Sequence, residues 1–471
     1  MLKIILSAVI FSYFIYWSYN VIYSIFFSPL RKIPGPLIYQ FFPIIFQYYM
    51  WKGTGHKVIF ELHKKYGSVV RLGRIAVSFE SDSACKELYS TYTYPKSRFY
   101  SAFQLVGETI FSTRDKDFHR QRKKILAPSF SEKAIDSIEH IVIENVINLI
   151  NKIKNLAKEK DVFDLSIYFH YFSFDVIGSL AFGNSFDMLN EGYHPVIGWI
   201  KDFFFISILC TMMPILKIYK FKSVQNLYEF AYKAIENSKS HPDRTTILNA
   251  FITASDPDTG KKLTEKELAE ESIIQLIAGT DTTSNSLAWT FYLLSKHPDI
   301  YEKLRQEIAN TFPNKDEITF NKCKTECPYL SAVLHESLRI VPVVSGNVMR
   351  IVPKGGRIID GYFIPEDSIV GINIKALHNS VRNWKDPEVF NPDRWIQNKK
   401  FKMNSNFMPF LIGPRACIGR TLAWMELYLV SANLIKNFSF ELKDKTKELD
   451  SIFYVVSAPD DKLDMIATIN Q

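Results

Sequence analysis

Cysteine is scarce in this chain, with five in 471 residues, at positions 85, 210, 323, 327 and 417. So sparse and odd a set excludes a disulfide-stapled secreted scaffold and points to a reducing compartment. Cys323 and Cys327 have no second pair and no histidine cluster to complete four ligands, which leaves them as structural thiols rather than a zinc site. A Gly-x-Gly-x-x-Gly fingerprint is missing, so nothing marks a dinucleotide-binding unit. Length alone would allow two or three domains. No Gly/Ser-rich or Pro-rich linker, repeat or low-complexity tract divides the chain, and 47% hydrophobic with 23% charged residues is a globular balance able to bury a sizeable core. The net charge of +8 is spread along the chain, with its densest cluster at residues 120–124, which excludes a nucleic-acid signature.

Charge is absent altogether from residues 4–27. That span exceeds the roughly 20 residues needed to cross a bilayer, and the expectation is a transmembrane helix. The competing reading, a cleaved signal peptide, is disfavoured by the length of the run and the lack of a small-x-small cleavage site. Arg31-Lys32 stop the run, and Ile33-Pro34-Gly35-Pro36 follows as a stiff hinge. The expected division is an anchor over 1–30, a hinge over 31–40 and the main domain over 41–471. The basic pair on the C-terminal side favours a cytosolic main domain. A second apolar stretch, 203–219 with Met212-Met213-Pro214, reads equally as a segment dipping into the membrane and as a core helix. Elsewhere helical patterns dominate from Ser131 onward, with short alternating runs at 68–79 and 357–363 reading as strands, so the class is mainly α with a minor β lobe.

A single cysteine is framed by glycines and an arginine in Phe410-Leu-Ile-Gly413-Pro-Arg415-Ala-Cys417-Ile-Gly419, ahead of an apolar helical run. Five specified positions in ten residues match by accident with a probability on the order of 10⁻⁴. A lone cysteine is ordinarily a buried structural thiol. Framed by glycines and an arginine, Cys417 suits an axial thiolate for haem iron, where sulfur donates electron density to the metal. Gly413 and Gly419 allow a sharp turn and close approach to a flat macrocycle. Arg415 offers a cation for a haem propionate, and the amides opening the next helix favour negative charge on sulfur. The segment resembles the cysteine loop of the cytochrome P-450 family.

Upstream residues extend the resemblance. An amphipathic run opens with the capping box Thr264-Glu-Lys-Glu267 and continues to Lys296, before His297-Pro298. Within it lies Ala278-Gly279-Thr280-Asp281-Thr282-Thr283. Gly279 costs about 1 kcal/mol in a helix interior, which a ligand passing over the helix would offset. Ala278 and Thr282 share a face, where the small side chain leaves room and the hydroxyl can hold a water or dioxygen. Asp281 on the neighbouring face can relay protons inward. The bland alternatives are a hydroxyl bonded back to its own helix and a solvated carboxylate.

His335-Glu336-Ser-Leu-Arg339 and Phe390-Asn-Pro-Asp393-Arg394-Trp395 match the family's Glu-x-x-Arg pair and arginine loop. The resemblance makes Glu336, Arg339 and Arg394 a buried architectural network. Phe174-Asp175-Val-Ile-Gly178 and Ala181-Phe182-Gly183 look like a helix of microsomal members. Residues 113–130 resemble the propionate-binding helix, whose usual Trp-x-x-x-Arg falls on His119 and Lys123 in one register and on Phe118 and Arg122 in another. The first is preferred because His keeps a ring N–H and Lys a cation. A solvated basic face is the alternative. Arg350, in Val348-Met-Arg-Ile-Val-Pro353, is the other propionate partner that the resemblance implies.

The resemblance, most like fungal microsomal members, implies haem b and a cytochrome P-450 fold. It also implies insertion of one oxygen atom of O2 into a hydrophobic small molecule. With no room for a flavin domain, electrons would come from a separate NADPH cytochrome P-450 reductase, with cytochrome b5 as a further donor, at the endoplasmic reticulum membrane. Family position places Phe99, Phe103, Leu276, Ala278, Val343, Val344 and Val456 toward substrate. A haem-thiolate isomerase or dehydratase acting on peroxides, and a non-catalytic haem sensor, are the other classes compatible with Cys417. The Asp281-Thr282 pair argues against the first.

Overall fold

The computed structural model describes residues 1–213, 216, 218–313, 318–397 and 405–470. Its axis is the 32-residue helix Glu265–Lys296. The capping box forms as expected: Thr264 Oγ1 accepts from the Glu267 amide at 3.3 Å, and Glu267 Oε2 accepts from the Thr264 amide at 2.8 Å. Pro298, unable to continue the ladder, opens the next helix instead. Helices Glu139–Glu159, Leu165–Phe182, Lys222–Ser240, Pro328–Ile340 and Arg420–Asn437 pack around this axis and enclose the main core. The closest partner of the long helix is Leu165–Phe182. A Cβ at Gly279 would lie 3.0 Å from Ile177 Cδ1, so the glycine lets this neighbouring side chain pack close.

The β structure is small and peripheral. A four-stranded sheet runs Val69–Arg71, Ala76–Phe79, Ile369–Ile372, Arg350–Ile351, with only the middle pair parallel. Its apolar face forms a second core with Leu30, Ile33, Leu88 and Tyr94. A three-stranded sheet (Phe163–Asp164, Asp464–Ile469, Phe438–Leu442) and two hairpins, Arg357–Ile359 with Tyr362–Ile364 and Ser451–Phe453 with Ser457–Pro459, complete it. Both sequence-read strand regions are hairpins.

The chain begins with helix Leu2–Ile22, continued by one π-helical turn, Tyr23–Phe27. Phe11, Phe14, Tyr16 and Tyr19 on it are exposed, while Trp17 Nε1 donates to Phe41 O at 3.0 Å. A boundary at residue 30 falls inside a packed stretch. Ser24, Ser28, Leu30 and Ile33 are all buried, and buried Arg71 donates to Ser24 O (3.2 Å), Ser24 Oγ (2.8 Å) and Ser28 Oγ (3.4 Å). Nor is 33–36 a free hinge: Pro34 O accepts from the Arg71 amide at 2.8 Å, and a Cβ on Gly35 would meet Arg71 O at 2.2 Å. Among the described residues the helix long and apolar enough to span a bilayer is Leu165–Phe182, and it is mostly buried in the core. Within 203–219, helix Val196–Met212 buries Phe203, Ile206 and Cys210 and exposes Phe205 and Ile208, while Pro214 lies outside the described residues.

Candidate active site

The cysteine loop is held by its own backbone. The Cys417 amide donates to Phe410 O at 2.9 Å, and the Phe410 ring lies 5.6 Å from Trp424 on the following helix. Gly413 adopts φ +72°, and a Cβ there would sit 2.0 Å from Tyr89 O, so glycine is required twice over, by conformation and by the helix Asp82–Tyr89 it abuts. At Gly419 a Cβ would meet no protein atom within 4 Å. Cys417 Sγ is accessible, yet surrounding protein desolvates it and pushes the thiol pKa up; the Gly419 N–H and the Arg420 charge act in the opposite direction.

Around this loop lies a group of cations with an unusual set of partners. Arg415 donates to Thr113 O (3.0 Å), Asp115 O (3.2 Å) and Arg114 O (3.5 Å). Lys123 donates to Pro414 O at 2.7 Å, Arg350 to Met349 O at 3.1 Å, and Lys96 to Phe111 O. Every one of these acceptors is a backbone carbonyl. Burial pulls Lys96 well below the usual lysine range, and the Arg350 and Arg415 charges push the same way. Burial brings Arg415 down to about 10. His119 sits among them and is depressed to about 3, by desolvation first and then by Arg415, Lys96, Lys123 and Arg350, so it is neutral at working pH. Tyr92 Oη lies 2.9 Å from its Nδ1.

Helix Lys116–Leu126 presents two faces. His119 and Lys123 turn toward the cysteine loop, whereas Arg122 turns away to Glu267 Oε1 (2.8 Å) and Glu271 Oε1 (3.3 Å) on the long helix, with Phe118 stacked on its guanidinium. Sequence reasoning missed Lys96. It is brought to the site by a bridge pairing it with Arg350 at the sheet edge, a long-range contact that leaves no local signature.

On the long helix Ala278 is exposed although the residues just before it, Leu276 and Ile277, are buried, and Thr282 is half-buried one turn on. Thr282 Oγ1 donates to Ala278 O at 2.8 Å, the local bond that was the bland alternative; its lone pairs remain able to accept. Asp281 is not simply solvated: its Oδ1 lies 3.4 Å from His170 Nδ1 of helix Leu165–Phe182, a partner the sequence did not reveal. Burial raises the Asp281 pKa, opposed by His170. Of the residues placed toward substrate, Leu276, Phe103 and Val343 are buried, Val344 and Val456 half-buried, and Phe99 exposed. Val343 O accepts from the Ser457 amide at 2.7 Å, which joins two of these segments. The Phe103 ring also meets those of Phe99, Phe111 and Phe204 edge-to-face and that of Phe203 at a tilt, with centroids 5.4–6.4 Å apart.

Glu336, Arg339 and Arg394 come together in a dry network. Glu336 accepts from Arg339 Nε (2.9 Å) and Nη2 (2.8 Å), Arg394 Nε (3.0 Å), Trp395 Nε1 (2.8 Å) and the Asn391 amide (2.9 Å). The bidentate pair thus satisfies both oxygens and fixes the loop that carries Trp395.

Residues 33–464 match the model of the cytochrome P-450 family. The chain is 31% identical to the cytochrome P-450 monooxygenase poxM of Penicillium oxalicum over 89% of this chain and 86% of that protein. It is 32% identical to the cytochrome P-450 monooxygenase aclL of Aspergillus oryzae over 91% of each. A crystal structure of a cytochrome P-450 haem domain superposes with a TM-score of 0.83 at 21% identity, covering 93% of this chain and 97% of that one. A mostly helical haem-binding fold is thereby defined. The chain belongs to the cytochrome P-450 family and is a monooxygenase of that family. Family and fold imply thiolate-held haem, and the residues present fit it: an accessible sulfur stands near cations whose hydrogen bonds go to carbonyls, a donor set suited to two propionates.

Proposed function

We propose that this monooxygenase binds haem b through Cys417 and hydroxylates a hydrophobic small molecule at the membrane surface of the endoplasmic reticulum. The observation that carries the reading is the set of carbonyl-bound cations gathered round the cysteine loop. Arg415 and Arg350 would hold the propionates through their guanidinium forks, Lys123 and Lys96 as point charges, and neutral His119 would add a ring N–H. Phe410, Gly413 and Gly419 shape the loop, and the Gly419 N–H favours the thiolate form of Cys417. Bound haem supplies the oxygen activation, in which one atom of O2 enters the substrate and the other leaves as water.

The protein's own part is binding, exclusion of water and delivery of protons. Ala278 leaves room beside Thr282, whose hydroxyl donates to the helix and accepts on its free lone pairs. Asp281, its pKa raised by burial, exchanges protons more readily near neutrality than an ordinary carboxylate. The apolar character of Phe99, Phe103, Leu276, Val343, Val344 and Val456 supports a hydrophobic substrate. Exposed aromatic residues on helix Leu2–Ile22 support a single membrane crossing ending before Ser24, with the catalytic domain cytosolic. Exposed Phe205 and Ile208 support a second contact with lipid. Electrons would come from NADPH cytochrome P-450 reductase, with cytochrome b5 as a second donor.

The test is the ferrous carbon monoxide difference spectrum of the protein and of Cys417→Ala, with coupling measured in Thr282→Ala. A thiolate-type band lost in the first variant, and NADPH consumption diverted to hydrogen peroxide in the second, are expected. A thiolate-type band in Cys417→Ala would overturn the ligand assignment. Unchanged coupling would return Thr282 to a structural role and reopen the isomerase class.

A further inference from the structure

His170 is a polar residue in a helix stretch whose apolar members Phe169, Phe172, Phe174 and Ile177 are buried. Its Nδ1 lies 3.4 Å from Asp281 Oδ1, and both side chains keep about a third of their surface accessible, 31% and 36%. The pair is therefore reachable by water while standing one residue from Thr282. Two charged groups act on the imidazole: Asp281 from the long helix and Lys201 from helix Val196–Met212. On its own helix Asp175 is engaged by the Met188 and Leu189 amides at 2.8 and 3.1 Å. From the other helices packed there, Glu139–Glu159, Met188–Glu191, Lys222–Ser240 and Ile247–Thr253, no charged group among the described residues is in ion-pair contact with it.

We propose that His170 feeds protons to Asp281. Nε2 takes a proton from a solvent hydronium as the Nδ1 proton passes to Asp281 Oδ1. The imidazole is left neutral with its proton on Nε2, and exchange through water resets the tautomer. No electrons move and no bond other than N–H and O–H changes. The carboxylic acid so formed then releases its proton on the Thr282 side. Two physical features favour the transfer. Burial lowers the His170 pKa and raises that of Asp281, which brings donor and acceptor toward each other. Catalytic hydrogen bonds are also often long until the reactive complex forms, which accommodates the 3.4 Å separation. His170 acts through Asp281 and is a positioning and proton-feeding residue.

The inference rests on Asp281 being the proton donor proposed above, and the experiment separates the two. His170→Phe, His170→Gln and Asp281→Asn are compared in reductase-reconstituted full-length protein for product formed, coupling and solvent deuterium isotope effect. Infrared difference spectra follow the protonated carboxyl stretch of Asp281 against pH. Both His170 variants should keep the carbon monoxide band, lose product formation by about tenfold and show a larger isotope effect. Replacing the imidazole should also move the Asp281 titration to higher pH. Recovery of parental turnover in His170→Gln would mean that a hydrogen bond suffices and would overturn the proton feed. Parental behaviour of both His170 variants beside a slow Asp281→Asn would overturn it while sparing the role of Asp281. A parental Asp281→Asn would defeat the underlying reading first. If His170→Phe fails to fold, an unshifted Asp281 titration in His170→Gln still refutes the proposal.

Discussion

Two truncations that differ by eight residues should behave as different proteins. Removing residues 2–22 takes away the hydrogen bond of Trp17 Nε1 to Phe41 O and its aromatic contact at 5.6 Å with Phe42, together worth about 1–3 kcal/mol, and an exposed hydrogen bond of Tyr16 with Arg74. Removing 2–30 also takes Ser24, Ser28 and Leu30. Arg71 then loses three acceptor contacts and keeps those to Gly73 O and Arg74 O. Because the cut admits water to the guanidinium, each lost bond counts at its net value of about 0.5–1.5 kcal/mol, not at full desolvation. Unburying Leu30 adds about 1.5–3 kcal/mol. The second truncation should thus be less stable than the first by about 3–7 kcal/mol. In a chain this long 1 kcal/mol corresponds to about 1 °C in Tm. Haem-loaded yield and thermal midpoint of the two truncations in detergent are the assay. Equal midpoints would refute the claim that Ser24 to Leu30 belong to the folded domain.

Glu336→Gln leaves two buried guanidiniums without their counter-charge and should cost about 3–5 kcal/mol, seen as loss of the haem-loaded fraction on expression. Lys96→Met should act with opposite signs in the two forms. It relieves repulsion from Arg350 and Arg415, raising the midpoint of the apoprotein, and removes an anion ligand, weakening haem retention by about tenfold or more. Acid should destabilise the fold through buried histidines. His56 and His378 are depressed to about 3 and His63 to about 4, chiefly by desolvation, so the unfolded chain binds more protons below the ordinary histidine value near 6.5. Their contribution is complete above that pH and is lost as pH falls toward the folded values, each by up to about 1.4 kcal/mol per pH unit. Unfolding midpoints between pH 8 and 4 should show this slope, and His378→Asn should flatten it.

Where a motif is local, the sequence disclosed the structure in detail. The capping box at Thr264 and the stop at Pro298 bound the long helix because both act within a few residues of the backbone they control. Glu336 with Arg339 was readable for the same reason, one helical turn apart, whereas Trp395, which donates to the same carboxylate, was not. Gly279 was recognised as costly, but its close contact with Ile177 Cδ1, about a hundred residues away in the chain, left no local mark. Lys96 and His170 stayed hidden because their roles arise from a sheet-edge bridge and a helix crossing. The basic pair Arg31-Lys32 marked where apolar composition ends, but composition carries no information about the packing of Ser24 against Arg71.

The cations around the cysteine loop have a consequence for the life of the protein in a cell. Lys96, Lys123, Arg350 and Arg415 hold their like charges close together on carbonyl dipoles and aromatic ring faces. A dianionic group that binds only the folded chain stabilises it in proportion to the logarithm of its free concentration. Steady-state abundance should therefore follow haem supply: in haem-starved cells the newly made chain opens more often and is cleared by proteolysis, so the level of the enzyme is set partly by cofactor biosynthesis.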